Sequence, residues 1–230
     1  MNIGSYSFEE YKCLVESFHG NLSPGLIIGG YMVDLALRHL PEGESFDAIC
    51  ETTVCLPDAI QLLTRCTVGN GRLNIIDVGR MAVTLYENNR GEGVRVYLDH
   101  VKLKPWPAVE QWYLKQTEDH DIDLLIEHVK QAGHRILSIQ FKRVDPLIIR
   151  RQPMGTVADC RICGEIYPLK DGDRCRGCCG ELPYIEITAQ PSFIKVASQP
   201  MTYVKSSHAF NDSSLVLNKT YLSFDTTEKP

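Results

Sequence analysis

No stretch of the chain approaches the roughly eighteen apolar residues that a membrane span requires. The segment after Met1, NIGSYSFEEYKC, lacks the basic start and following apolar run of a secretory leader. The expected location is therefore the cytoplasm, with no membrane partner. Positive charge is also in deficit: 24 Lys and Arg stand against 29 Asp and Glu, a net of −5. A field that would steer nucleic acid over the whole surface is thus missing, and any such contact must be local. Internal repeats and low-complexity tracts are absent as well. What is present is 43% apolar and 23% charged residues in a chain of 230, enough for one full core and something smaller, about one and a half domains.

Cysteine is the exception to this ordinary composition. There are nine, an odd number for a disulfide framework, and five of them crowd into residues 160–179, which reads as metal ligation in a reducing compartment. In CRICGEIYPLKDGDRCRGCCG, Cys160 and Cys163 form one C-x-x-C pair and Cys175 and Cys178 a second. Two such turns bring four thiolates to the corners of a tetrahedron, each about 2.3 Å from one Zn²⁺. Gly164 and Gly180 follow the pairs, as turns that aim backbone N–H groups at sulfur require. Cys179 competes with Cys178 as fourth ligand. The expected role of the zinc is to fold about 25 residues too few to bury a core unaided. Redox or iron–sulfur use is the alternative. A nucleic-acid-reading finger is another, since Arg161, Lys170, Arg174 and Arg176 are present, but Glu165, Asp171, Asp173 and Glu181 cancel them.

Elsewhere hydrophobic periodicity predicts an α+β core. Helical spacing runs from Phe8 to Leu40 in two pieces broken at GNLSPG, with Ser23 as N-cap and Pro24 at the first helical position. Gly29 and Gly30 sit in the second piece, where each costs about 1 kcal/mol relative to Ala. A backbone, a ligand or simple close packing must approach them. A strand is predicted at 46–51, a helix at 56–66, strands at 72–78, 81–88 and 93–99, a helical run over 107–133 and a strand at 135–144. Pro146 and Pro153 bracket a linker. The expected domains are a core with a helical extension at 1–150, a zinc finger at 151–188 and a C-terminal arm at 189–230 that packs late or not at all.

FHGNLSPGLIIGG, ETTVCLPDAIQLLTRCTVGNGRL and DVGRMAVTLY together resemble the FmdE-like family, the E subunits of formylmethanofuran dehydrogenase, over about residues 8–100, with the cysteine cluster matching the longer members. The resemblance implies a helix, strand, helix, three-strand core with a mixed sheet and a treble-clef zinc finger. Against the family's first motif, His-Gly-His, one residue, Cys-Pro-Gly, this chain keeps His19, Gly20, Pro24 and Gly25. Asn21 stands for the second His and Ser23 for the Cys. The second motif matches at Glu51, Cys55, Asp58, Ala59 and Cys66; Gly69, Gly71 and Gly79 fit the next segment, and Arg80 replaces a usual Lys.

An amide and a hydroxyl are weaker metal donors than an imidazole and a thiolate, so a second metal in the core is disfavoured, with His19, Cys55 and Cys66 as its remaining donors. A metal-free pocket at the broken helix, beside His19, would suit an anionic group. His19 and Cys55 are the candidate catalytic pair, with Asn21, Ser23, Glu51, Asp58 and Cys66 around the pocket. Cys55 before a helix could act as a thiolate nucleophile with His19 as partner. The blander readings are a structural histidine, small buried cysteines and a first-turn carboxylate at Asp58. The resemblance implies a homodimeric accessory or binding component of molybdenum or tungsten enzymes in methanogenesis-type one-carbon metabolism. The alternatives are a metal- or thiol-dependent enzyme or metallochaperone, and a regulator that binds nucleic acid through the finger.

Overall fold

The structure is a computed structural model, described here for residues 2–40, 45–116, 121–145 and 153–184. The chain divides into two compact units, Met1–Gly155 and Thr156–Pro230. Most of the linker expected between Pro146 and Pro153, and the arm expected over 189–230, lie outside the described residues. No helix among the described residues is long and apolar enough to cross a membrane.

The first unit opens with α1 (Phe8–His19), started by a capping box in which the Ser7 hydroxyl accepts from the Glu10 amide and the Glu10 carboxylate accepts from the Ser7 amide. It stops at Gly20, whose φ of 89° ends the helix and lets its N–H reach the Glu16 carbonyl. Then α2 (Pro24–Leu37) runs through the middle of the unit, buried at every residue but Leu35 and Leu37. A helix apolar all round has to be wrapped on all sides. Here β1 (Phe46–Cys50), β3 (Ala82–Glu87), β4 (Glu92–Leu98) and β5 (Leu137–Arg143) supply one wall. On other sides lie α1, α3 (Leu56–Leu63) and α6 (Ile122–Ala132).

The sheet order is β2-β1-β3-β4-β5, with β2 (Leu73–Ile75) parallel to β1 and every other pair antiparallel. Alternate residues Val83 and Leu85 of β3, with Val94 and Val96 of β4, join the core around α2. Their neighbours Thr84 and Arg95 take the opposite face, as the strand's two-residue period requires. The mixed α+β architecture is the one read from the sequence.

Three predicted elements differ in extent. The strand at 72–78 shortens to β2: the Ile76 amide makes the ladder's last bond, to the Cys50 carbonyl, and beyond it Val78 and Arg80 both turn their amides to the Glu51 carbonyl. The helix at 56–66 ends at Leu63, where the Thr64 hydroxyl donates to the Ile60 carbonyl. The helical run over 107–133 is two helices, α5 (Pro107–Tyr113) and α6. The first ends before Lys115, which has a left-handed φ of 52°, and the second starts afresh on an Asp121 cap that accepts from the Leu124 amide. A one-turn helix α4 (His100–Leu103), capped by Asp99, precedes α5.

In the second unit, β6 (Val157–Asp159) and β7 (Ile166–Pro168) form an antiparallel hairpin. Tyr167 is buried there and its hydroxyl donates to the Gly172 carbonyl at 2.9 Å.

Candidate functional site

The hairpin of the second unit carries the first site. Cys160 follows β6 directly, and Gly164, at φ 78°, returns its amide to the Cys160 carbonyl at 2.8 Å, closing the turn that holds Cys163. A second turn, closed by Gly180 at φ 87°, holds Cys175 and Cys178. The sulfurs of Cys160, Cys163, Cys175 and Cys178 all lie within 4.8 Å of one another. Cys175 donates its amide to the Cys160 Sγ at 3.5 Å, and Cys178 its amide to the Cys175 Sγ at 3.3 Å. Backbone amides of Cys163, Cys175 and Ile162 pull the Cys160 thiol down to about 6, whereas the crowd of neighbouring sulfurs, Cys175 first, pushes Cys178 up to about 12. Four thiolates at this spacing repel one another without a cation, and they are the donor set of a closed, structural zinc site. Cys179 is exposed and outside the group, so Cys178 is the fourth ligand. All nine cysteines are free of disulfides.

The second site is built around Cys55 in the first unit. The loop after β1 is pinned: the Cys50 thiol donates to the Thr52 carbonyl at 3.1 Å and the Val54 amide to the Thr52 hydroxyl at 3.2 Å. The chain then makes a γ-turn at Cys55, with φ 56°, ψ −51° and the Leu56 amide on the Val54 carbonyl at 2.6 Å. That conformation is rare and costly for a residue with a side chain. It places the thiol at the start of α3 and 3.5 Å from the Ser23 hydroxyl. Ser23 is the N-cap residue of α2, but its side chain makes no capping bond; it faces Cys55 instead. Gly25 is what allows this approach, since a Cβ there would stand 3.1 Å from the Cys55 sulfur.

Cys55 opens onto a cleft of about 530 Å³, lined by Gly25, Ile28, Thr52, Trp112, Tyr113 and Lys115 among others. The volume and the mix of aromatic and polar lining are those of a small-molecule site. A larger depression of about 710 Å³ lies beside the β3–β4 turn, between Glu87, Arg90 and Phe141. It has no thiol or hydroxyl in its lining, so the smaller cleft is the better candidate.

The structure brings some of the sequence-predicted residues together and separates others. His19 and Asp58 meet, Nδ1 to Oδ2 at 2.6 Å. Asp58, third residue of α3, thus has a definite partner that orients the imidazole. Sequence spacing misses this because the two are 39 positions apart. His19 does not line the cleft at Cys55, and among the described residues the finger is the only group of three or more metal-type donors within mutual reach. Asn21 is exposed. Cys66 is buried, with its thiol directed at the Phe46 carbonyl, and lines a different depression beside Arg72.

Glu51 faces the sheet surface rather than the cleft. Arg95 donates to both of its carboxylate oxygens at 2.6 and 2.8 Å, and Arg80 sits on Oε2 at 2.9 Å. The Arg95 hydrogen bonds hold its carboxyl below the usual range. Trp112, Tyr113 and Lys115 carry no mark in the sequence. Their only signal is a cluster of aromatics in a helical run that reads as a cover for the sheet.

Residues 18–144 match the family model described as "FmdE, Molybdenum formylmethanofuran dehydrogenase operon", and residues 151–185 match "FmdE treble clef zinc finger". The crystal structure of an FmdE-like protein of the tungsten formylmethanofuran dehydrogenase type, from Syntrophus aciditrophicus, is 46% identical, with a TM-score of 0.75. The match covers 80% of this chain and 98% of that one. A "Probable S-adenosyl-L-methionine-binding protein" of Archaeoglobus fulgidus is 30% identical over 190 residues, 72% of this chain and 51% of the relative. The chain therefore spans about half the length of that curated relative.

Proposed function

The chain belongs to the FmdE family, with both the α+β domain and the treble-clef zinc finger, and from that premise we propose that it is a homodimeric accessory component of a molybdenum- or tungsten-dependent formylmethanofuran dehydrogenase system. In this reading it works in the cytoplasm and binds a small molecule in the cleft at Cys55, while the finger is a structural module loaded with one zinc. The observation that carries it is the preformed cleft of about 530 Å³ around a thiol held in a γ-turn, inside the domain that defines the family. Strain of this kind is retained where a side chain has a task.

Metal content and assembly test the reading together. One zinc per chain is expected, kept in His19→Ala and Cys55→Ala and lost in Cys163→Ser. Tagged protein expressed beside molybdenum or tungsten dehydrogenase subunits should co-purify with them, as a species containing two copies of this chain. A second metal equivalent lost on changing His19 or Cys55 would favour a metal-dependent enzyme or metallochaperone instead. Nucleic-acid binding through the finger is disfavoured by charge, since Arg176 is paired with Glu181; retardation of a duplex at low salt would revive it. S-adenosylmethionine, the ligand in the Archaeoglobus relative's name, carries a sulfonium, an ammonium and a carboxylate, so Lys115, the one charged residue lining the cleft among the described residues, does not discriminate for or against it.

A further inference from the structure

We propose that the Cys55 cleft selects anionic ligands, specifically a small carboxylate-bearing molecule with a flat apolar body; this rests on the reading of the cleft as a ligand site. Three observations point the same way. Lys115 lines the cleft, and no Asp or Glu does so among the described residues. Asp77, in the loop before Gly79 at the rim, has both oxygens occupied, one by the Thr53 hydroxyl and one by the Gly79 amide. Asp58 is engaged by His19. The carboxylates of the neighbourhood thus have hydrogen-bond partners, whereas Lys115 forms no ion pair among the described residues.

The second observation is backbone chemistry. The Gly25 amide lies in the first turn of α2, where Pro24 contributes no N–H and the Leu26 and Ile27 amides both go to the Ser23 carbonyl. Gly25 N–H has no partner among the described residues, and Gly25 lines the cleft. An unfilled donor at a helix start accepts an anionic oxygen readily. Third, the rest of the lining is apolar and aromatic: Ile28, Met81, Leu98 and Trp112 with Tyr113, whose ring centroids are 6.3 Å apart. Such walls suit a planar body and exclude a hydrated ion. Thr52 and Cys55 complete the polar end, with the thiol close to where the anionic group would arrive.

Paired alkylating reagents read this directly on the zinc-loaded full chain. Iodoacetate and iodoacetamide react alike: the Cys55 sulfur bonds to the CH₂ carbon, the C–I bond breaks, iodide leaves and the thiol proton goes to buffer. They differ only in charge. Taking the rate ratio iodoacetate over iodoacetamide cancels the intrinsic reactivity of the thiol, and exposed Cys13 serves as reference in the same peptide map. The ratio at Cys55 should exceed that at Cys13 by roughly three- to tenfold at low salt and shrink at about 0.5 M salt. Lys115→Gln should lower it at Cys55 by roughly threefold or more with no change at Cys13, and Lys115→Arg should restore it. Benzoate should protect Cys55 better than benzamide does.

Equal ratios at the two cysteines, or a Cys55 ratio indifferent to Lys115→Gln, would overturn the proposal. Stronger protection by benzamide than by benzoate would overturn it too, but would leave the cleft as a ligand site. If neither of these nor S-adenosylmethionine protects Cys55 at any concentration, the ligand-site reading itself fails.

Discussion

Two side chains in the core domain are held in states that ordinary packing would not choose. The γ-turn at Cys55 costs about 1 to 3 kcal/mol for a residue with a Cβ, and glycine escapes most of that cost. Cys55→Gly should therefore unfold at higher denaturant than Cys55→Ala, with a stability gain of about 1 kcal/mol or more, in urea titrations followed by circular dichroism. Equal midpoints would mean that the turn is unstrained. Glu51 is the second case. Arg95 and then Arg80 favour its charged form, so its folded carboxyl titrates below the ordinary 4.5. The stabilisation is complete above that ordinary value and is lost as pH falls through the lower, folded one. Glu51→Gln should cost about 2 to 3 kcal/mol at pH 7 and flatten the loss of stability as pH falls below the ordinary 4.5. Parallel curves for the two proteins would rule out this account. Arg80 fits the same pair, since its Nε sits on Glu51 Oε2.

At the scale of elements, α2 shows why a glycine pair persists inside a helix that pays for each one. A Cβ on Gly30 would stand 2.6 Å from the Tyr11 ring, and one on Gly29 would stand 2.8 Å from the Ala59 methyl. The close approach is thus made by side chains of α1 and α3, not by a ligand. Tyr11 is fully buried and its hydroxyl donates to the Leu26 carbonyl at 3.1 Å, so the ring cannot easily yield. Gly30→Ala should destabilise by about 1 to 3 kcal/mol, outweighing the gain in helix propensity, whereas Gly69→Ala, with open space around it, should stay within about 0.5 kcal/mol. Thermal denaturation of the two variants separates packing from propensity. The same helix carries buried Asp34, on which three segments converge. The Gly4 amide donates to one oxygen, and Arg38 and His134 lie 2.8 Å from the other. Burial alone would raise that carboxyl, but these partners outweigh it and hold it low.

For the molecule as a whole, the division into two units predicts two separable responses. The described part of the finger has little core beyond Tyr167 and Cys160, so its fold should depend on metal. The core domain has a continuous apolar interior around α2. Chelation at neutral pH should remove one zinc per chain, open the finger to proteolysis and leave the main thermal transition unchanged. Cys163→Ser should reproduce this and Cys179→Ser should not, as checked by metal analysis alongside limited proteolysis. A shift of the main transition on chelation would show that the units stabilise each other.

The zinc site is legible in the sequence nearly to the residue, because two C-x-x-C turns are local geometry and spacing alone brings each pair of sulfurs together. The helix starts and stops around α1 and α2 are legible for the same reason: Gly20, Ser23 and Pro24 act within a turn of themselves. The family resemblance draws attention to His19, Cys55 and Asp58 without saying which would meet. Only the tertiary structure decides that His19 holds Asp58, that Cys66 and Glu51 look away from the cleft, and that Trp112, Tyr113 and Lys115 form its wall. His19 and Asp58 are 39 positions apart, and the cleft wall lies nearly sixty positions beyond Cys55; their meeting depends on how α2 is wrapped, which no local pattern encodes.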